Sequence, residues 1–155
     1  MKTTLINLVL LLAVSSASGQ ALKESEVPMA VRQAFAKQFS AVNGVKWSKE
    51  SDTEYEAEFK TAGAEQSTNF DSAGKWLITE TEVPAKSLPA AVQATLKKDF
   101  EKYKLEEAEK AETPDRGTFY EIELEQGEKS MVVQITPAGK VLKTEEAKEE
   151  GKKKD

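Results

Sequence analysis

The side chains this chain offers for chemistry are carboxylates. Glu56 and Glu58 sit two apart in Tyr55–Phe59, and Glu121, Glu123 and Glu125 repeat that spacing after Tyr120. On a strand, residues two apart share a face at a separation of roughly 7 Å. Two carboxyls so placed could serve as the acid and base of glycan hydrolysis. The same row could also form an acidic docking surface, or simply the wet face of a half-buried strand. The chain has no histidine and no cysteine. That removes the commonest general base near neutral pH, the usual zinc ligands and a thiol nucleophile. There is no glycine-rich phosphate loop and no G-x-S-x-G elbow. Asp71, Ser72 and Gly74 supply too few oxygens for calcium and read better as a turn. No cofactor and no metal is expected.

Aromatic residues add a second kind of contact. Trp47, Tyr55, Phe59, Phe70 and Trp76 concentrate in the first half of the chain. Most are expected to fill the core, with Trp76 reaching an open face. Phe119 shares strand parity with Glu121 and Glu123, so it is expected on the outer face as an exposed anchor among acids. Fraying at the start of its strand is the alternative. The expected contact set is therefore Glu56, Glu58, Trp76, Phe119, Glu121 and Glu123. Its partner would be a protein or peptide of basic character, steered by carboxylates and held by an aromatic. An enzyme acting on cell-envelope glycan through carboxylates is the rival reading.

The elements that must position these residues occur twice. Val27-Pro28 opens a segment that continues AVRQAF, YEAEF and NFDSAGKWL; Leu88-Pro89 opens another that continues AVQATL, YEIEL and QITPAGKVL. The offset is 61 across the first part and 65 across the second. Two copies of one unit imply two similar half-domains. Val31, Phe35 and Phe39 fall at i, i+4 and i+8 and predict a helix over 27–39, with Pro28 in its first turn. Val92, Leu96 and Phe100 predict a second over 88–103, capped by Ser87.

About four strands follow each helix. Alternation predicts them near 45–50, 55–59, 66–70 and 75–82, and then near 105–112, 120–125, 131–135 and 140–145. The strand at 105–112 is the weakest, and 113–117 reads as a loop. Gly63 and Gly127 miss register by one residue, which predicts a bulge in one hairpin. Asp71–Gly74 and Thr136–Gly139 both suit type I turns.

The ends read differently. Residues 1–19 run from Lys2 through an apolar stretch at Leu5–Val14 to small residues at Ser15–Gly19, which predicts an export signal cleaved before Gln20. Residues 20–86 and 87–146 are the two repeats. Residues 147–155 form a charged tail expected to be disordered. Without Lys2 the balance is 21 basic to 27 acidic residues. That argues against nucleic acid and anionic lipid as partners. A periplasmic or secreted protein without stable membrane insertion is expected. Lacking disulfides, it must draw its stability from a shared core.

The hydrophobic-Pro-x-x-Val helix start, Trp47, Tyr55-x-x-x-Phe59 and Phe70-Asp71-x-x-Gly74 together resemble the PepSY-like, beta-lactamase-inhibitor-like proteins exported by bacteria. The likeness spans about residues 27–146. It implies an α+β fold: tandem units, each a helical segment plus about four antiparallel strands, joined into one curved sheet with the helices on one face. It also implies a non-catalytic binding or inhibitory role, or a module restraining an exported protease. The second repeat has Thr136 in place of Asp71 and Val141 in place of Trp76, and has no match for Trp47. No inhibitory residue is carried over.

Overall fold

The computed structural model describes residues 19–146. The expected signal segment and charged tail lie outside the described residues. The architecture is two helices and nine strands. Strand β1 (Gln20–Leu22) precedes helix α1 (Met29–Gln38), which is followed by β2 (Lys46–Ser51), β3 (Glu54–Thr61), β4 (Ala64–Asp71) and β5 (Trp76–Glu82). Helix α2 (Ala90–Asp99) is followed by β6 (Lys104–Thr113), β7 (Gly117–Gln126), β8 (Lys129–Ile135) and β9 (Val141–Glu146). All strands form one open, curved antiparallel sheet in strict chain order, β1 to β9. Strand β1 is additional to the eight expected from the alternation and continues the sheet beyond β2 by pairing Leu22 with Trp47.

Both helices begin later than their periodicity suggests. Val27 and Leu88 adopt extended backbone, with ψ of 134° and 145°. A proline excludes the preceding residue from helical geometry, so Pro28 and Pro89 become N-caps rather than first-turn residues. Ser87 instead ends a short 3-10 turn, Ala85–Ser87, matched in the first half by Glu24–Glu26.

The sheet carries one core per repeat on its helix side. Val27, Val31 and Phe35 pack on Trp47, Ala57, Phe59 and Phe70. Leu88 and Val92 pack on Ala108, Ile122, Leu124, Val133 and Ile135. Phe35 lies 5.2 Å from both Trp47 and Phe59, edge-on to each, a favoured aromatic geometry. Tyr55, Ala57 and Phe59 therefore face the helix, and Glu54, Glu56 and Glu58 face away.

One expectation is corrected. The hairpins at Gly63 and Gly127 keep unbroken register, Thr61 opposite Ala64 and Gln126 opposite Lys129. Each is a two-residue turn; glycine stands second in one and first in the other, which explains the offset without a bulge. The bulges lie elsewhere, including one between Leu105 and Glu107 in β6. That bulge breaks the alternation of a ten-residue strand and makes it look weak in sequence.

The two type I turns are present and do more than reverse the chain. Gly74 donates its N–H to the Asp71 carbonyl, and Gly139 donates to Thr136. The Asp71 carboxylate accepts from the N–H groups of Ala73 and Lys75, and the Thr136 hydroxyl accepts from that of Lys140. Both turns press against a helix. A Cβ on Gly74 would stand 2.6 Å from the Ala30 carbonyl oxygen, and one on Gly139 2.6 Å from that of Ala91. Both glycines also have φ above +80°. Gly74→Ala and Gly139→Ala should each cost roughly 2–4 kcal/mol, through left-handed strain plus backbone collision. Chemical denaturation measures this; Gly44→Ala, with open space around it, is the comparison and should cost only the smaller strain.

Candidate docking face

The face turned away from the helices is built by parity. Cross-strand pairs place Glu56 opposite Asn69, Ser67 opposite Glu80, Glu82 opposite Glu109, and Glu109 opposite Glu121. Farther along, Glu107 stands opposite Glu123, and Glu121 opposite Gln134. The acids thus crowd the seam where β5 of the first repeat meets β6 of the second.

This face is only partly wet. Glu80 is 2% exposed and Glu121 8% exposed, although no helix lies over them. Ile78, Ala111 and Phe119 make a small third core on this side, drawn from strands alone. Side chains of neighbouring strands must therefore close over one another there. Ile78 and Glu80 reach this face because a bulge between Asn69 and Phe70 shifts the register of β5.

Crowding of the acids shows in the protonation equilibria. Burial, then repulsion from Glu109, Glu121 and Glu56, pushes Glu80 up to about 9. Burial and the neighbouring acids raise Glu56 and Glu109 to about 7 each. Glu54, Glu107, Glu121 and Glu123 are raised too, in each case chiefly by desolvation. Among the described residues the ion pairs are surface pairs of little energetic weight; Lys60–Glu65 and Lys143–Glu145 lie on this same face by register, but none of the pairs includes Glu56, Glu80 or Glu109.

The expected contact residues divide. Glu56, Glu58, Glu121 and Glu123 share the open face, with Glu58 exposed, Glu56 and Glu123 half-buried and Glu121 buried. Trp76 does not join them. It packs against the helix-side core and donates its indole N–H to the Thr79 hydroxyl at 2.9 Å. Phe119 is on the open face as parity predicts, but it is 0% exposed and cannot act as an exposed anchor. The Arg116 guanidinium covers it, 4.2 Å from the ring centroid. Burial of such a ring contributes about 2–3 kcal/mol, which favours structure over display.

Two polar networks were not foreseen. In the second repeat Arg116 donates to Gln134 Oε1 at 3.0 Å, and Gln134 Nε2 donates to Glu121 at 2.6 Å. In the first, Asn69 Nδ2 donates to Glu54 at 3.2 Å. Asn69 Oδ1 and Glu80 Oε1 are buried without any hydrogen-bond partner. An unpaired buried acceptor costs about 1–3 kcal/mol. Alternation with Thr68 and Phe70 could have placed Asn69 here; nothing in the sequence announces the bulge that brings Glu80.

The sign of the pH dependence follows. Carboxyls of the unfolded chain titrate near the ordinary value of 4.5, whereas folded Glu56, Glu80 and Glu109 titrate at about 7 to 9. Between those limits the folded state holds more protons. These groups' contribution is therefore full below about 4.5 and falls as pH rises through the folded values. The thermal midpoint should be higher at pH 5.5 than at pH 9. Glu80→Gln, neutral at every pH, should recover on the order of 2 kcal/mol at pH 9 and little at pH 5.5. Calorimetry across that range checks both.

The match to a family model covers most of the chain, in two overlapping segments, 15–68 and 53–143. Solved structures share the fold. A DUF2874 family protein of Bacteroides ovatus is 26% identical with a TM-score of 0.72, covering 77% of this chain and 86% of its own. A BLIP-like protein of Bacteroides fragilis is 24% identical with a TM-score of 0.70, covering 81% of this chain and 89% of its own. A third, from Bacteroides eggerthii and described as "putative periplasmic", is 21% identical with a TM-score of 0.72, covering 77% of this chain and 88% of its own. No curated protein matches. Among the described residues no helix is long and apolar enough to cross a membrane. Built as a repeated helix-and-sheet unit and matched along both copies, the chain belongs to the family described as "Putative beta-lactamase-inhibitor-like, PepSY-like".

Proposed function

We propose that the protein is an exported, non-catalytic binding module whose open sheet face docks a basic protein or peptide. One observation carries the reading: carboxyls converge on an uncovered sheet face, and the charges acting on Glu56, Glu80 and Glu109 are all those of other carboxyls. A cationic partner would neutralise that repulsion and draw the protons off. Glu58, Glu82 and Glu125 are exposed and steer the encounter; Glu56 and Glu123 form the contact proper. The fold shared with a BLIP-like protein and with one described as periplasmic supports both the binding role and the export.

The raised carboxyls also support the rival reading, since a glycan hydrolase needs a carboxylic acid protonated near neutral pH. Glycan release that is abolished in Glu56→Gln/Glu58→Gln would establish that reading and displace the first.

The docking face is tested by capture from an envelope extract, at about 20 mM and 300 mM salt. The bait is the full chain or its Glu56→Gln/Glu58→Gln/Glu121→Gln/Glu123→Gln variant. The expected partner is basic, is held by the unmodified chain at low salt, and is released at high salt. It should be lost at least tenfold in the variant. Equal retention by both baits would sink the docking face.

A further inference from the structure

The two repeats place an amide at the same point of the open face, Asn69 in β4 and Gln134 in β8, 65 residues apart. Each amide nitrogen donates to a carboxylate, Glu54 in one and Glu121 in the other. That donation fixes which atom of each amide is the oxygen. In the second repeat the oxygen accepts an N–H from the guanidinium of Arg116, in the β6–β7 turn. The equivalent turn between β2 and β3 is Asp52-Thr53 and carries no cation, with Ser51 at the position of Arg116. Asn69 Oδ1, on a side chain 1% exposed, is left without a donor, and Glu80 Oε1 on the neighbouring strand is left without any partner. The half that lacks the arginine therefore holds the unpartnered oxygens.

We infer that Asn69 and Glu80 form a binding site for a guanidinium group, the arginine side chain of a protein partner, which completes in trans what Arg116 completes in cis. The inference rests on the docking-face reading and narrows it to one side-chain class. The surroundings agree in charge. Glu80 is faced by Glu56 from β3, Glu109 from β6 and Glu121 from β7, while β4 contributes the uncharged Ser67, whose hydroxyl donates to Glu80 Oε2 at 3.4 Å. The cations that act on this group of acids, Arg116 and Lys143, act on Glu121. The second repeat gives the guanidinium a ring to lie on, Phe119; the first has Glu54 at the equivalent position, an anionic partner instead. Both acceptors are closed from water, so entry displaces the half-buried Glu54 and Glu56 side chains. A guanidinium arriving beside a protonated Glu80 drives that proton to the buffer.

The probes are acetyl-Gly-Gly-Arg-Gly-Gly-amide and its lysine counterpart, titrated into the full chain. Amide and methyl resonances are followed by NMR, and proton release by calorimetry in two buffers of different ionisation enthalpy. The arginine peptide should shift the Asn69 side-chain amide and the Ile78 methyls saturably, release protons near pH 7.5, and bind at least fivefold tighter than the lysine peptide. Asn69→Ala and Glu80→Gln should each weaken it about tenfold. Arg116→Ala should open the twin position and raise the stoichiometry from one peptide to two, which keeps the test informative should Asn69→Ala fold poorly. Equal binding of both peptides, unchanged binding by Asn69→Ala, or an unchanged stoichiometry in Arg116→Ala overturns the assignment. So does absence of peptide binding, which points to a trapped water as the missing donor. If salt-sensitive capture of a basic partner survives that failure, only the guanidinium site is lost; if capture fails as well, the docking face falls with it.

Discussion

Two helices claim one side of the sheet, and that claim decides where every other side chain goes. Strand residues alternate faces, so once Val31, Phe35 and Val92 require apolar neighbours from Trp47 to Ile135, the intervening positions are committed to the opposite side. Those positions are rich in glutamate. The acidity of the open face is thus the complement of the core pattern, concentrated by the curvature and packing that shut water away from Glu80 and Glu121. A one-residue slip in register would bury the acids under the helices, which is a strong reason for the register to hold.

The repeats share a scaffold and differ in how they satisfy it. Both pin a tight turn to a helix through a glycine, and the second adds a hydrogen bond from Thr95 Oγ1 to the Gly139 carbonyl at 2.7 Å. Aspartate and threonine perform the same turn-stabilising task at positions 71 and 136, so that exchange is chemically mild. The open faces diverge more. One copy is closed by a phenylalanine, a guanidinium and a glutamine in a connected network; the other keeps carboxyls and an amide with unused capacity. Duplication gave two equivalent surfaces, and the substitutions left one self-contained and one incomplete.

The scaffold was legible because it rests on local rules. The helical stripes, the turn chemistry, the Tyr-x-x-x-Phe and Tyr-x-x-x-Leu strands and the twofold repetition are all short-range signals; the strands and turns appear where they were expected, and the helices do so within a shorter span, each starting two residues late at its proline. The acidic parity of Glu56, Glu58, Glu121 and Glu123 was equally readable. What stayed hidden depends on bulges and on burial. A single inserted residue flips Ile78 and Glu80 to the open face, and no residue type marks that spot. Phe119 had its face assigned correctly by parity, but parity carries no information on exposure, and a facing Ala111 with Arg116 above it was beyond reach from spacing alone. Strand β1 was invisible because three residues give no period to detect.

Strand order that follows chain order has a kinetic meaning. Each ladder joins segments adjacent in sequence, so no pairing waits on a distant stretch of chain, and closure entropy stays small throughout. The long links between paired strands are residues 23–45, from β1 to β2 with α1, and residues 83–103, from β5 to β6 with α2; only the second joins the halves. Either half can zip up by successive hairpins before that link closes. The acid-lined joint between the halves, four residue pairs straddled by Ile78, Ala111 and Phe119, then closes as two preformed sheets meeting edge to edge rather than as one more hairpin.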